Sequence, residues 1–460
     1  MSHAGSNGVA APAHFAALDS VRAMAVAFVL FHHTWGLGGT PALSPKIPLT
    51  SIKVPLHFYL QGAGLGVDIF FVLSGFLLSL PWHRHAYGQA SPVRLGSYFK
   101  RRLLRIGPPY YGVLFLVLAL LTPTVVSWDL VANGPGLQRF IAHLLFMQQI
   151  LPMSADGFRI LGSLWTLTIE MIFYLALPLM VLPFLRRRWL IATPVAVIGS
   201  VVYLWLARNS LGFVVDAAVH SMRRYALTGE GLRASWLANQ FPSFLGDFAL
   251  GIAAANLCVL ARSPRRPAFM RVLERELTSL ALTVTGFGLV FFALYLNGSQ
   301  RWARIAYYGD HLVTAIGTTM VIVGVTQASG PTSRFVGFAP FRWLGIIGYS
   351  VFLWHMPVIY VVARYPFLAG MTARDQFLQL TYRVLLITIP LSIGYYHLVE
   401  KPFMRSRPAS PAGQPTAEVG LPPQGFEAQT VADVAEGSNS LVPAQEQDEP
   451  IKEPGRAVHR

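Results

Sequence analysis

The sequence predicts an all-α fold: a polytopic bundle of about ten transmembrane helices with both termini on the cytoplasmic side. Three observations predict it. The 460-residue chain is 53% hydrophobic and only 12% charged, where a soluble domain averages about 25% charged. Apolar runs of about 20 residues, each long enough to cross the hydrocarbon core, recur along it. Clusters of Arg and Lys flank every second run, the alternation that positive-inside topology imposes.

The same clusters account for the excess of base. A net charge of +15 would suit nucleic acid if it lay along one face. Here it sits in short groups beside apolar runs, so anionic lipid headgroups and an anionic soluble substrate are the expected partners, not nucleic acid. One cysteine, Cys258, excludes a disulfide framework and any multi-cysteine metal site, and no metal is expected.

The elements follow in order. Residues 1–14 are small and polar with no Lys or Arg. They lack the basic n-region of a signal peptide, so the first helix, 15–37, is expected to stay uncleaved. A Pro/Gly-rich loop spans 37–62 and helix 2 spans 63–82. A basic stretch (Arg84, Arg94, Lys100, Arg101, Arg102, Arg105) leads to helix 3 at 106–126. Residues 137–151 are apolar but short, which reads as an interfacial or re-entrant segment. Helices 4 and 5 fall at 163–185 and 189–207. A polar loop, 208–240, is the one place where several arginines fall outside. Helices 6 to 10 fall at 241–261, 277–297, 311–328, 342–363 and 377–399. From 408 to 460, Pro, Gln, Glu, Ala, Gly and Ser dominate, which predicts a disordered cytoplasmic tail. The one folded domain expected is therefore membrane-embedded, 15–407.

Charges inside spans are functional hypotheses by default, because a cation facing lipid costs at least a few kcal/mol. Helix 1 carries Arg22 and His33. Eleven residues is close to three turns, so the two share one face about 16 Å apart along the axis. By depth, His33, Asp68 of helix 2, Glu170 of helix 4 and His355 of helix 9 converge on the outer half. Arg22, Arg102 and Arg105 lie towards the inner side, Arg102 and Arg105 on one helix face. Guanidinium groups suit a phosphorylated cytoplasmic substrate. An imidazole held by a carboxylate suits removal of a hydroxyl proton. The glycines of GVDIFFVLSGF are expected to permit close helix packing.

These residues lie in segments that resemble, in order, the blocks of the membrane acyltransferase family 3. LDSVRAMAVAFVLFHH resembles its first-helix motif, an Arg, ten residues and a His. GVDIFFVLSGFLL resembles the second-helix block. RRLLRIGPPYY fits its Arg-x-x-Arg pattern at Arg102 and Arg105. SLWTLTIEMIFYLALPL resembles the block carrying Glu170, with Met171 where many members have a second acidic residue. GYSVFLWHMPV and VEKP resemble the late blocks, at Tyr349, Ser350, His355, Pro357, Glu400 and Pro402.

The resemblance covers about residues 15–407. It implies transfer of an acyl group, usually acetyl, from acyl-coenzyme A to a hydroxyl of a glycan or small molecule, in a bacterial cytoplasmic membrane. On this reading Arg102, Arg105 and Arg22 bind the donor's phosphates at the cytoplasmic mouth. His33 acts as general base or transient acyl carrier, Asp68 or Glu170 orients it, and His355 assists with the acceptor or the oxyanion. The chain carries no hydrolase-like domain of the kind fused to some members, so transfer is expected to finish in the membrane domain or with a separate partner. The alternative is a proton-coupled or anion transporter, which would use similar buried charges. Its mark, an internal repeat with matching broken helices, is not found.

Overall fold

The computed structural model describes residues 13–48, 50–121, 134–151, 159–209, 236–264, 266–299, 303–328, 330–364 and 370–405. The first twelve residues, the middle of the 208–240 loop and the 408–460 tail lie outside the described residues. The long helices are α1 (Ala13–Leu37), α3 (Gly66–Ala86), α4 (Leu95–Leu121), α6 (Trp165–Met180), α7 (Trp189–Asn209), α8 (Leu245–Ala261), α9 (Glu276–Ser299), α10 (Ala303–Gln327), α12 (Gly348–Ala363) and α13 (Ala373–Tyr395). Shorter ones are α2 (Leu56–Gly62), α5 (Gly134–Leu144) and α11 (Ala339–Ile346). Among the described residues the isolated β-bridges reduce to Lys46 with Lys53.

Eight helices are long and apolar enough to cross a membrane, or nine if one bent pair is a single span. They correspond to predicted helices 2 to 8 and 10, with the bent pair at helix 9. The chain is an integral membrane protein. The predicted first span forms as α1 but is not among those eight. It packs on α3, α11 and α12, and Ala17, Leu18, Val21, Ala25, Val26 and Val29 are buried. Its polar residues therefore face protein rather than lipid, the arrangement that makes an intramembrane charge tolerable.

Two boundaries differ from the sequence reading. Residues 56–62, expected in a loop, are helical and continue into α3 as one 31-residue span. LHFYLQG presents apolar side chains to α9, and Leu60 is buried there. Helix α4 begins at Leu95, well before the predicted 106. Tyr98, Arg102 and Arg105 follow a helical spacing that turns one face inward, and Tyr98 is buried. The Arg-x-x-Arg pair thus projects from a helix, not from a loop.

The middle of the bundle is α3 and α8, each with 78% of its span window buried, against 28% for peripheral α7. They cross at small residues. A Cβ on Gly75 would collide with the Phe248 carbonyl, and one on Gly251 with the Val72 carbonyl. This close approach is the packing expected of the glycines in helix 2. Helices α11 and α12 meet at Ile347 with a bend of 70°. Gly345, just before the bend, lies so close to the Asp19 carbonyl of α1 that a side chain there has no room.

Candidate functional site

A cavity of about 190 Å³ lies among α1, α3, α4, α6, α11, α12 and the last described turn of the chain. Arg22, Arg102, Arg105 and Arg342 line it, together with Asp19, Glu170 and Glu400. Much of the remaining wall is apolar, including Val67, Phe70, Phe71, Leu73, Leu77 and Phe352. The structure thus brings together all three arginines singled out in the sequence and adds a fourth.

Several of these charged groups are held by specific contacts. Arg22 Nη1 donates to Asp19 Oδ1 at 2.5 Å, one turn away on α1. Glu170 Oε1 accepts from the Tyr174 hydroxyl and from the Ser74 hydroxyl at 3.3 Å. The Tyr98 hydroxyl donates to the Tyr174 carbonyl at 3.1 Å, tying α4 to α6. Ser350 donates to Glu400 Oε2 at 2.7 Å, joining the two late sequence blocks. Tyr349 donates to the Ile106 carbonyl at 3.1 Å, one residue past Arg105. The Arg102 Nε is buried and has no hydrogen-bond partner among the described residues.

The histidines form a separate group beyond the cavity. The rings of His33 and His355 stack at 5.4 Å between centroids. His32 meets His33 edge-on at 5.2 Å. The nitrogens of His355 have distinct roles. Nδ1 lies 2.6 Å from the Phe352 carbonyl, which can only accept, so Nδ1 carries the proton. Its Nε2 is buried without a hydrogen-bond partner among the described residues, leaving a lone pair available as a base. Phe352 lines the cavity and its ring lies 5.6 Å from that of His355. It stands between the arginine-lined chamber and the imidazole pair.

Two carboxylates are not where the depth argument put them. Asp68 does not meet His33. Its Oδ1 lies 2.5 Å from Nδ1 of His311 on α10, within a buried group that includes Asp247 and Asp310. The reason is helix phase: Val67, Phe71 and Ser74 of α3 share the cavity face, and Asp68 points away from it. Glu170 also stands apart from the histidines. It lies among the arginines, because α6 turns it towards Ser74 and the cavity. No group of three or more His, Cys, Asp or Glu that could hold a metal occurs among the described residues.

Four participants are absent from the sequence reading. Asp19 could have been found from its i, i+3 spacing to Arg22. Tyr174 lies one turn beyond Glu170. Arg342 sits at the predicted start of helix 9 and reads there as a boundary charge. His311 likewise falls at the predicted edge of helix 8, and nothing local marks Asp68 as its partner.

A family model described as an acyltransferase domain matches residues 15–397. The chain belongs to this acyltransferase family. The match takes in the cavity arginines, Glu170 and both stacked histidines, and it ends just before Glu400. Among curated relatives, the chain is 27% identical over 365 residues to the O-acetyltransferase OatA of Staphylococcus aureus (strain NCTC 8325 / PS 47), covering 77% of this chain and 52% of the relative. It is 26% identical over 394 residues to the putative peptidoglycan O-acetyltransferase YrhL of Bacillus subtilis (strain 168), covering 81% and 55%. It is 25% identical over 355 residues to the peptidoglycan O-acetyltransferase OatA of Listeria monocytogenes serovar 1/2a, covering 74% and 49%. The chain spans about half the length of the curated relatives it matches. No solved structure matches it.

Proposed function

We propose that this chain is a membrane O-acyltransferase of the bacterial cytoplasmic membrane. It moves an acyl group, acetyl in the simplest case, from cytoplasmic acyl-coenzyme A to a hydroxyl of an extracytoplasmic or lipid-linked glycan. The observation that carries this reading is the buried, unpartnered Arg102 Nε in a cavity that also holds Arg22, Arg105 and Arg342. A guanidinium nitrogen buried without an acceptor is costly. A donor phosphate supplies that acceptor, and a guanidinium can bind it through two parallel bonds. The basic clusters flanking this end of the bundle support a cytoplasmic orientation for it.

The chemistry follows from the order of groups. The phosphates of coenzyme A stay with Arg102, Arg105 and Arg342, and Asp19 holds Arg22 beside them. The pantetheine arm runs along the apolar wall towards Phe352. His33 takes the proton of the acceptor hydroxyl, and the freed oxygen attacks the thioester carbonyl carbon. The C–S bond breaks and the thiolate of coenzyme A leaves. One proton then returns from the imidazolium to the thiolate, so the step is ROH plus thioester to ester plus thiol. The stacked His355 ring holds His33 in place. The relatives named for peptidoglycan favour an envelope glycan as acceptor.

The test is acetyl-coenzyme A turnover by purified protein in detergent, supplied with a membrane-glycan extract. Release of free thiol that depends on His33 is expected. Full turnover by the His33→Ala variant removes its role as base. Absence of both turnover and acetyl-coenzyme A binding removes the acyltransferase reading and returns the transporter.

A further inference from the structure

The lining of the cavity combines charged groups with aromatic rings. Phe70 of α3 and Phe352 of α12 both line it. Their rings meet edge to face, 6.1 Å between centroids and 70° between planes. The centroid of the Phe352 ring also lies 5.6 Å from that of His355. Phe352 is nearly fully buried at 6% exposure. Its carbonyl accepts a hydrogen bond from the His355 Nδ1–H, so the ring and the imidazole are fixed by the same helical turn.

We propose that the Phe70–Phe352 ring pair sets the length of acyl chain that this protein accepts. The inference rests on the acyl-coenzyme A reading above. A donor held by its phosphates at the arginines must bring its thioester past this pair to reach His33. A two-carbon acyl group asks for the least space there. Each further methylene must displace a ring that has an aromatic partner and an imidazole beside it. Cores packed in this way do not absorb extra methylenes without strain. The same rings also separate the cytoplasm-facing chamber from the histidines when no donor is present.

The experiment compares dissociation constants of acetyl- and butyryl-coenzyme A for the full chain in detergent, in wild type, Phe352→Leu and Phe352→Ala. Wild type is expected to favour acetyl-coenzyme A. Opening the ring position should shift the butyryl-to-acetyl ratio by about tenfold towards butyryl, the scale set by burying two further methylenes. The leucine variant keeps most of the packing volume and guards against a folding failure of the alanine variant. Acetyl-coenzyme A binding as in wild type, with a ratio unchanged in both variants, overturns the inference and leaves the donor reading intact. Equal affinity of wild type for both thioesters also overturns it. No binding of either thioester by wild type overturns the donor reading, and the inference falls with it.

Discussion

The imidazoles of His33 and His355 come from different helices, yet their rings lie 30° from parallel with centroids 5.4 Å apart. His33 is partly exposed, whereas His355 is fully buried. The pair therefore has one member that can meet a substrate and one that fixes its position. Removing either should cost the general-base contribution, roughly 10² to 10⁴ in kcat. His33→Ala and His355→Ala should each fall in that range. The double variant should be little worse than the singles, because groups that act as a unit are not additive. Turnover numbers in detergent, with binding of acetyl-coenzyme A measured alongside, check this. Losses that multiply would mean the two rings act independently.

The buried Arg102 Nε has no hydrogen-bond partner among the described residues, so Arg102 is expected to gain from an anion. A charge-assisted bond to phosphate is worth about 1.5–3 kcal/mol. Arg102→Ala should therefore weaken acetyl-coenzyme A binding by about ten- to a hundredfold, with a smaller effect on kcat. Arg102→Lys should recover only part of this, since an ammonium cannot make the paired contact. Titration calorimetry is the direct measurement. Wild-type affinity in Arg102→Ala would remove its phosphate role.

Asp68 and His311 should behave as a pair that holds α3 to α10. Breaking a buried pair from one side leaves an uncompensated group and typically costs about 3–5 kcal/mol. Asp68→Asn and His311→Ala should each lower the melting temperature markedly, and the double variant should lose less than the sum. Acetyl-coenzyme A affinity should stay within about twofold of wild type. A variant that melts like wild type yet loses turnover would restore Asp68 to the acyl-transfer step.

Acid should loosen the short helix α5, which lies outside the spans. Burial pushes the His143 imidazole down to about 4, and its Nδ1 donates to the Arg139 carbonyl at 2.8 Å. The unfolded value is about 6.5. With the folded value lowered, the neutral ring's contribution is complete above 6.5 and is lost as the pH falls towards 4. Between pH 7.5 and pH 5 the loss is about 2 kcal/mol. Melting curves at the two pH values should show the shift in wild type and a smaller one in His143→Gln. Equal shifts would place the acid sensitivity elsewhere.

Much of the fold was legible because hydropathy and charge act along the chain. The apolar runs located the long helices, and the i, i+11 spacing put Arg22 and His33 on one face of α1. The arginine end of the site was legible for the same reason, since Arg102 and Arg105 neighbour each other in sequence. The carboxylates were not. A depth argument fixes height in the bilayer but not rotation about the helix axis. Rotation decides that Ser74 faces Glu170 while Asp68 faces His311, 243 residues away. The start of α4 was missed for a related reason. A basic stretch reads as loop until Tyr98 is seen to be buried, and that burial depends on α6 packing against it.

The contact between Asp19 and Arg22 gives the cavity an anion of its own. A donor phosphate arriving near Arg22 does not fill a bare positive site. On the proposed donor reading it meets a carboxylate already in place on Arg22. Asp19 stays in the cavity, so the donor meets less net positive charge than four arginines alone would present. Its affinity should fall with ionic strength less steeply than four arginines alone would require. On the same reading, the Asp19 carboxylate one helical turn from Arg22 keeps that guanidinium paired whether or not a donor is present.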